Sequence, residues 1–162
     1  MKYTIRKARL NDINEILRLY KELCSCMIRL QQEYTKIPKE KFNHYNEDNK
    51  SYFCDALVSA SNVVFVAEIE SKVVGFIQSC IHEKDFYFDL DKYCYIPYYY
   101  VEEAYHNYSL CIDLYREIEK WSREKKIRYI CSDVDGGNDI SLKLQKKFCG
   151  MKPYKIRLMK QL

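Results

Sequence analysis

Residues 98–121, YYYVEEAYHNYSLCIDLYREIEKW, read as a strand that turns into a helix. Such a turn presents free backbone N–H groups and the positive end of a helix, a natural site for an anion. His106, Asn107, Ser109 and Cys111 fall within it. Turns that cradle phosphate are usually rich in glycine, which lets oxygens approach the backbone with no Cβ in the way. This turn has no glycine. Ser109 and Cys111 are small, and Ser109 brings a hydroxyl donor. Asp113 suits the helix dipole but would repel an anion if it faced the site. The same residues also fit an ordinary capped helix start, with Asn107 or Ser109 as N-cap. A second strand-to-helix turn, DVDGGND before the helix at Asn138, does carry glycines, Gly136 and Gly137.

Other reactive residues form no recognisable set. His44, His82 and His106 do not combine with Ser, Asp or Cys into a triad. Cys111 at a helix start would have a lowered thiol pKa, but acyl-cysteine chemistry has no supporting partner in the sequence. Cys24 and Cys26 lie two apart in a helical pattern, so they point to different faces. No paired C-x-x-C or H-x-x-x-H pattern appears, and DLDKYC lacks the spacing of a calcium loop. No metal is expected.

Composition narrows the field. The chain has 162 residues, 48% hydrophobic and 31% charged, which suits a single globular domain. Its 16 tyrosines favour strands and an aromatic-lined cleft. The net charge of +4 is mild, and basic residues alternate with acidic ones, as in REIEKWSREKK. That argues against a nucleic-acid partner. No apolar run is long enough to cross a membrane, and MKYTIRKARLNDI reads as a strand rather than a leader. A cytoplasmic setting with 8 reduced cysteines is the expectation.

The elements that must position the turn can be read from periodicity. KYTIRKA alternates as a strand. Ile13, Ile16, Leu17, Tyr20, Leu23, Cys24 and Met27 recur at helical spacing, with Asn11 or Asp12 as N-cap. A second helix falls between Pro38 and Ala60, after a polar stretch. NVVFVAEIESKVVGFIQSCI predicts a hairpin from about Asn62 to Ile81. Extended structure then runs to Val101, with Pro97 marking a kink, a bulge or an edge. Leu110, Leu114, Ile118 and Trp121 form one helical stripe. IRYICSDV predicts a short strand. NDISLKLQKKF predicts a helix with Ile140, Leu144 and Phe148 in register, ended by Gly150. MKPYKIRLMKQL predicts a closing strand. The order is β α α β β β α β α β, an α/β domain with crossover connections and a mixed sheet.

On IRKARLNDINEILRLYKEL, VFVAEIESKVVGFIQSCI, YYYVEEAYHNYSLCIDLYREIEKW and ICSDVDGGNDISLKLQKKFCGMKPYKIRLMKQL, nearly the whole chain resembles the GNAT (Gcn5-related) N-acetyltransferases. The resemblance implies a mixed, mostly antiparallel central sheet with helices on both faces, in one domain over residues 1–162. It implies acetyl-CoA as co-substrate. The family motif is Arg or Gln, two residues, Gly, one residue, then Gly or Ala. Here His106 takes the Arg or Gln position, Asn107 that of an optional extra Gly, and Ser109 and Cys111 the small positions. Tyr108 and Leu110 complete the turn, and Asn138 matches an Asn at the last helix. Tyr99, Tyr100 and Val101 match the strand whose backbone holds the pantetheine arm, where an N–H would polarise the thioester carbonyl.

The chemistry implied by the resemblance is direct acetyl transfer to a primary amine, on a small molecule or a peptide. Glu102 or Glu103 could serve as base, and Asp85, Asp89 and Asp91 could draw a cationic amine. The acid that protonates the leaving thiolate is usually a Tyr on the last helix. Gln145 stands there, and Gln is a poor acid, so Tyr108, Tyr154 or water must substitute. The glycine-free turn and Gln145 also leave open a non-catalytic binding or regulatory module with the same fold. A tRNA- or ribosome-associated acetyltransferase would need a basic docking face, which the sequence does not display. The resemblance also implies a possible homodimer through an edge strand.

Overall fold

The computed structural model describes residues 2–37, 49–84, 91–106 and 108–156. The elements in order are β1 (Thr4–Lys7), α1 (Ile13–Thr35), α2 (Lys50–Val58), β2 (Asn62–Ile69), β3 (Lys72–Glu83), β4 (Lys92–Val101), α3 (Tyr108–Glu124), β5 (Ile130–Ser132) and α4 (Asp139–Lys147). The five strands form one sheet in the order β1-β2-β3-β4-β5. All neighbours are antiparallel except β4 and β5, which are parallel and joined by the α3 crossover.

Alternation along the strands builds a core on each face of the sheet. Val63, Phe65, Ala67 and Ile77 face Leu110, Leu114, Ile118 and Trp121 of α3. Val64, Val66 and Phe76 face Ile16, Leu19, Tyr20 and Cys24 of α1 and Phe53 of α2. The helical stripes read from the sequence in α1 and α3 are the buried ones. Cys24 is buried and Cys26 half-buried, as expected for side chains on different faces, and no cysteine is bridged.

Local chemistry explains the element boundaries. A short 3-10 turn, Leu10–Asp12, precedes α1, and the Asp12 carboxylate accepts the Arg9 N–H at 2.7 Å. Arg6 grips the same carboxylate with two hydrogen bonds of 2.8 Å. Those bonds hold Asp12 below the ordinary carboxylate range against the opposing effect of burial. Asp12 thus ties β1 to the start of α1. The β2–β3 hairpin closes on Glu70 and Ser71, both left-handed at φ 48° and 66°, a geometry that usually selects Asn-Gly.

The predicted order of elements holds from β1 to α4, with two differences. Residues 151–156 of the expected closing strand do not pair with the sheet, and residues 157–162 lie outside the described residues. Gly150 turns the chain at φ 69° and Pro153 offers no N–H for a ladder. In α4 only Leu144 of the expected stripe is buried, at 7% exposure; Ile140 and Phe148 are exposed. The helix is short, and it meets the core through one turn, where Gln145 is buried beside Leu144.

Candidate active site

The decisive local event lies in β4. Gln78 pairs with Tyr98, but Cys80 pairs with Tyr95, so Ile96 and Pro97 together face Ser79. This is a β-bulge, placed where proline removes a ladder donor. Before the bulge, Cys94 N–H donates towards β5, to Tyr129 O at 2.9 Å. After it, Glu102 N–H donates the other way, to Val74 O of β3 at 2.8 Å. The even-numbered amides have changed sides. By alternation, the N–H groups of Tyr99 and Val101 point away from β3, towards the β5 side. β5 is no longer there. Its pairing with β4 ends at Ile96 opposite Ser132, while β4 continues to Val101. The result is a V-shaped opening with a backbone edge along one wall.

Gly75 lets β4 hold this position. A Cβ at Gly75 would come within 2.9 Å of Val101 Cγ2, 3.0 Å of Tyr100 O and 3.2 Å of Val101 Cα. Only glycine admits such close strand approach without displacement. Val101 itself is 3% exposed, packed beneath α3.

β4 passes through a 3-10 turn, Glu103–Tyr105, and α3 starts seven residues after β4 ends, at Tyr108. Asn107, an expected phosphate contact, lies outside the described residues. Ser109 is exposed, Cys111 is half-buried and Leu110 is buried in the core. Tyr108 is exposed and packs its ring on Phe148 of α4, centroids 5.1 Å apart. Tyr99 donates its hydroxyl to Cys111 O at 2.6 Å, which fastens the first turn of α3 to β4. Asp113 does not stand as a bare charge: Tyr3 Oη donates to it at 2.8 Å and Arg116 pairs with it at 2.7 Å. His106 folds back, its Nε2 2.7 Å from Val101 O.

Candidate proton-transfer groups occupy distinct settings. Glu102 sits between Lys72 Nζ at 2.8 Å and Arg18 Nη2 at 2.6 Å. Burial acts to raise its carboxyl pKa, but the bonds from Lys72 and Arg18 outweigh burial and hold it below the ordinary range. A carboxylate so held is a weaker proton acceptor. Glu103 is exposed at the strand end, with no such clamp among the described residues. Tyr100 turns to the α1 face and meets Glu22 at 3.3 Å. Gln145 bridges α4 to β5: Ser132 donates to its Oε1 and its Nε2 donates to Ser141 Oγ at 3.3 Å. It serves the fold at the position where the resemblance places an acid. Asn138 caps α4, accepting the Ser141 N–H at 3.1 Å, and Tyr154 is half exposed beyond α4.

The α1/α2 face near the bulge holds residues that the sequence did not single out. Gln78 is fully buried, and its Nε2 donates to Tyr52 Oη at 2.9 Å. Its Oε1 has no donor among the described residues, a state that costs on the order of 1–3 kcal/mol. A lone glutamine within the apolar run VVGFIQSCI was the signal available. Asp85 and Asp89, the expected acidic mouth, lie outside the described residues. Asp91, the third of that set, is exposed. Among the described residues no cluster of His, Cys, Asp or Glu is arranged to hold a metal, and no helix is long and apolar enough to cross a membrane.

A model of the acetyltransferase (GNAT) family matches residues 17–151. The chain belongs to the GNAT acetyltransferase family. Solved structures agree on the fold. A tetramutant of the BH1408 protein from Bacillus halodurans superposes with a TM-score of 0.81 at 18% identity, covering 98% of this chain and 99% of that one. AAC(6')-Iy, in complex with a bisubstrate analogue of CoA and acetylneamine, gives 0.77 at 15% identity, covering 100% and 99%. A predicted acetyltransferase from Clostridium acetobutylicum, in complex with acetyl-CoA, gives 0.72 at 17% identity, covering 99% and 96%. Among curated protein sequences nothing matches significantly. For this GNAT domain the parting of β4 from β5 therefore lies in a fold that other members present with CoA or acetyl-CoA bound.

Proposed function

We propose that this GNAT domain moves an acetyl group from acetyl-CoA to a primary amine by direct transfer. The observation that carries the reading is the opening between β4 and β5, with the Tyr99 and Val101 amides on its wall and α3 starting seven residues after β4 ends. The pyrophosphate would lie at the turn from His106 to Cys111, where helix N–H groups and dipole favour an anion. The pantetheine arm would run along Tyr99–Val101. When bound, the thioester supplies the activated acetyl group.

The ammonium of the acceptor first loses a proton. Glu103 at the strand end can take it through water, whereas Glu102 is held by Lys72 and Arg18. The amine nitrogen then attacks the thioester carbonyl carbon. A β4 amide N–H stabilises the developing oxyanion, the attacking nitrogen gives up its second proton to water, the carbon–sulfur bond breaks, and the thiolate takes a proton. Gln145 carries no acidic proton, so that proton comes from water or from Tyr154. The acceptor is a small-molecule or peptide amine; aminoglycoside acetyltransferases among the structural neighbours support the small-molecule class.

The test is thiol release from acetyl-CoA over a panel of polyamines, aminoglycosides and peptide amines, with mass spectrometry of the product. Amine-dependent release with a product heavier by one acetyl group supports transfer. A second reading, a binding or regulatory module, is favoured by Gln145 at the acid position and the glycine-free turn. Saturable acetyl-CoA binding without turnover for any amine would select it.

A further inference from the structure

The two glycines of DVDGGND, between β5 and α4, lie against a side chain from α1. A Cβ on Gly136 would come within 2.5 Å of Tyr34 Cε1 and 2.9 Å of its Cδ1. A Cβ on Gly137 would come within 3.0 Å of Tyr34 Cβ, and Gly137 is left-handed at φ 84°. Any larger residue at Gly136 must displace the ring, so the glycine pair forms a seat for it. The seat does not enclose the ring, which stays 64% exposed.

α1 reaches this seat from the other wall of the opening. Tyr20 packs edge-on against Tyr98, centroids 4.9 Å apart, and Glu22 accepts from Tyr100 Oη at 3.3 Å. Both partners lie in β4 beyond the bulge, where β5 no longer pairs. Tyr34 comes just over three turns later in α1, about 18 Å along the helix axis. It lands on the turn that follows β5. One helix thus touches both of the strand ends that part, and its second half crosses the gap between them on the α1/α2 face. Burial along α1 agrees. Its buried residues end at Cys24, and every later residue is half-buried or exposed. Met27 and Gln31 continue the buried stripe at helical spacing, yet both are only half-buried, as expected where no strand lies beneath. The second half of α1 is therefore a strap, anchored in the core at Cys24 and pinned near its far end by Tyr34.

We propose that Tyr34 is a latch: seated on Gly136 and Gly137, it holds α1 across the β4–β5 opening, and the acceptor amine enters and the acetylated product leaves when the ring lifts. The passage of amine rests on the acetyl-transfer reading; the latch itself does not. Tyr34→Ala removes the ring. Gly136 is not left-handed, so Gly136→Ala displaces the ring and leaves the backbone unstrained. Hydrogen exchange read by mass spectrometry should quicken about fivefold or more over residues 25–35 in either variant, while residues 13–24 stay within about twofold of the parent. Adding Gly136→Ala to Tyr34→Ala should change nothing further, because no ring is left to displace. Kinetics with spermidine, kanamycin and a lysine peptide then read the passage. For each amine that turns over, an open strap should raise the KM about threefold or more without lowering kcat, since bound amine and product both escape faster. The KM for acetyl-CoA, whose phosphates would lie at the start of α3, should stay within about twofold. Unchanged exchange in Tyr34→Ala, a further effect in the double variant, or equal changes in KM for amine and acetyl-CoA would overturn the proposal. Tyr34 is an exposed residue, so Tyr34→Ala keeps the test open if Gly136→Ala does not fold. If no amine turns over, the transfer reading fails on its own and exchange decides the latch: faster exchange over residues 25–35 supports it, and unchanged exchange overturns it.

Discussion

Replacing Gly75 with alanine should disturb the strand that forms the wall of the site. The new Cβ meets Val101 Cγ2 at 2.9 Å, Tyr100 O at 3.0 Å and Val101 Cα at 3.2 Å. Two of the three are backbone atoms of β4, so the strain cannot be relieved by rotating a side chain alone. Overpacking of this kind costs about 1–3 kcal/mol, and two backbone contacts place Gly75→Ala near the middle of that range. A loss of about 2 kcal/mol corresponds to a fall in Tm of roughly 4–8 °C for a chain of this length. Val101→Ala deletes buried methyl groups and costs about 1–3 kcal/mol alone. In the double variant the closest contact disappears, so its loss should be smaller than the sum of the two single losses by about 0.5–1 kcal/mol. Urea unfolding of the four chains measures this coupling. Because β4 must move, acetyl-CoA binding should weaken in Gly75→Ala more than the small change in stability alone explains. An alanine variant as stable as the parent, or strictly additive losses, would refute the close-approach argument.

Three further outcomes follow from other contacts. Ser71→Gly removes a Cβ from a left-handed residue in the hairpin turn and should add about 1 kcal/mol of stability in thermal unfolding. Asp12→Asn should cost about 2 kcal/mol at pH 7, since it breaks a paired, largely buried carboxylate. The Asp12 carboxyl is depressed in the folded chain, so its contribution is present above the unfolded pKa of about 4 and fades as pH falls through the lower folded value; urea unfolding at pH 7 and pH 3 should show the gap between Asp12→Asn and the parent shrink. His106→Ala frees the Val101 carbonyl from a 2.7 Å contact, and acetyl-CoA should bind a few-fold more tightly in calorimetry if the pantetheine arm uses that strand edge.

Much of the fold was legible because its stripes are long. The α1 and α3 periodicities span several turns, and the hairpin pairs two β-branched runs, so local pattern and burial agree. Pro97 was also informative, since a residue without an N–H inside a strand must sit at a fault in the ladder. What the sequence concealed was the consequence of that fault. The bulge reverses which amides face outward, and only pairing partners reveal this. Short α4 misled for a related reason: a nine-residue helix touches the core over one turn, so Ile140 and Phe148 matched a stripe that packing does not use. Within the site, the turn and its order were readable from residues 98–121. Charge pairing was not. Glu102 is neutralised by Arg18 of α1 and Lys72 of β3, separated from it by 84 and 30 positions. Gln78 and Tyr52 come from different elements, and their shared hydrogen bond becomes visible only once α2 lies on the sheet.

The central claim is that acetyl-CoA docks along the edge of β4 exposed beyond Ile96. Amide-resolved NMR of the chain titrated with acetyl-CoA tests it most directly. The account predicts saturable shifts of the Tyr99 and Val101 N–H signals and of the Ser109 and Leu110 signals at the start of α3. The Tyr100 and Glu102 amides, which point to β3, should move much less. Saturable binding that leaves Tyr99 and Val101 unmoved, or no binding at millimolar acetyl-CoA, would contradict it.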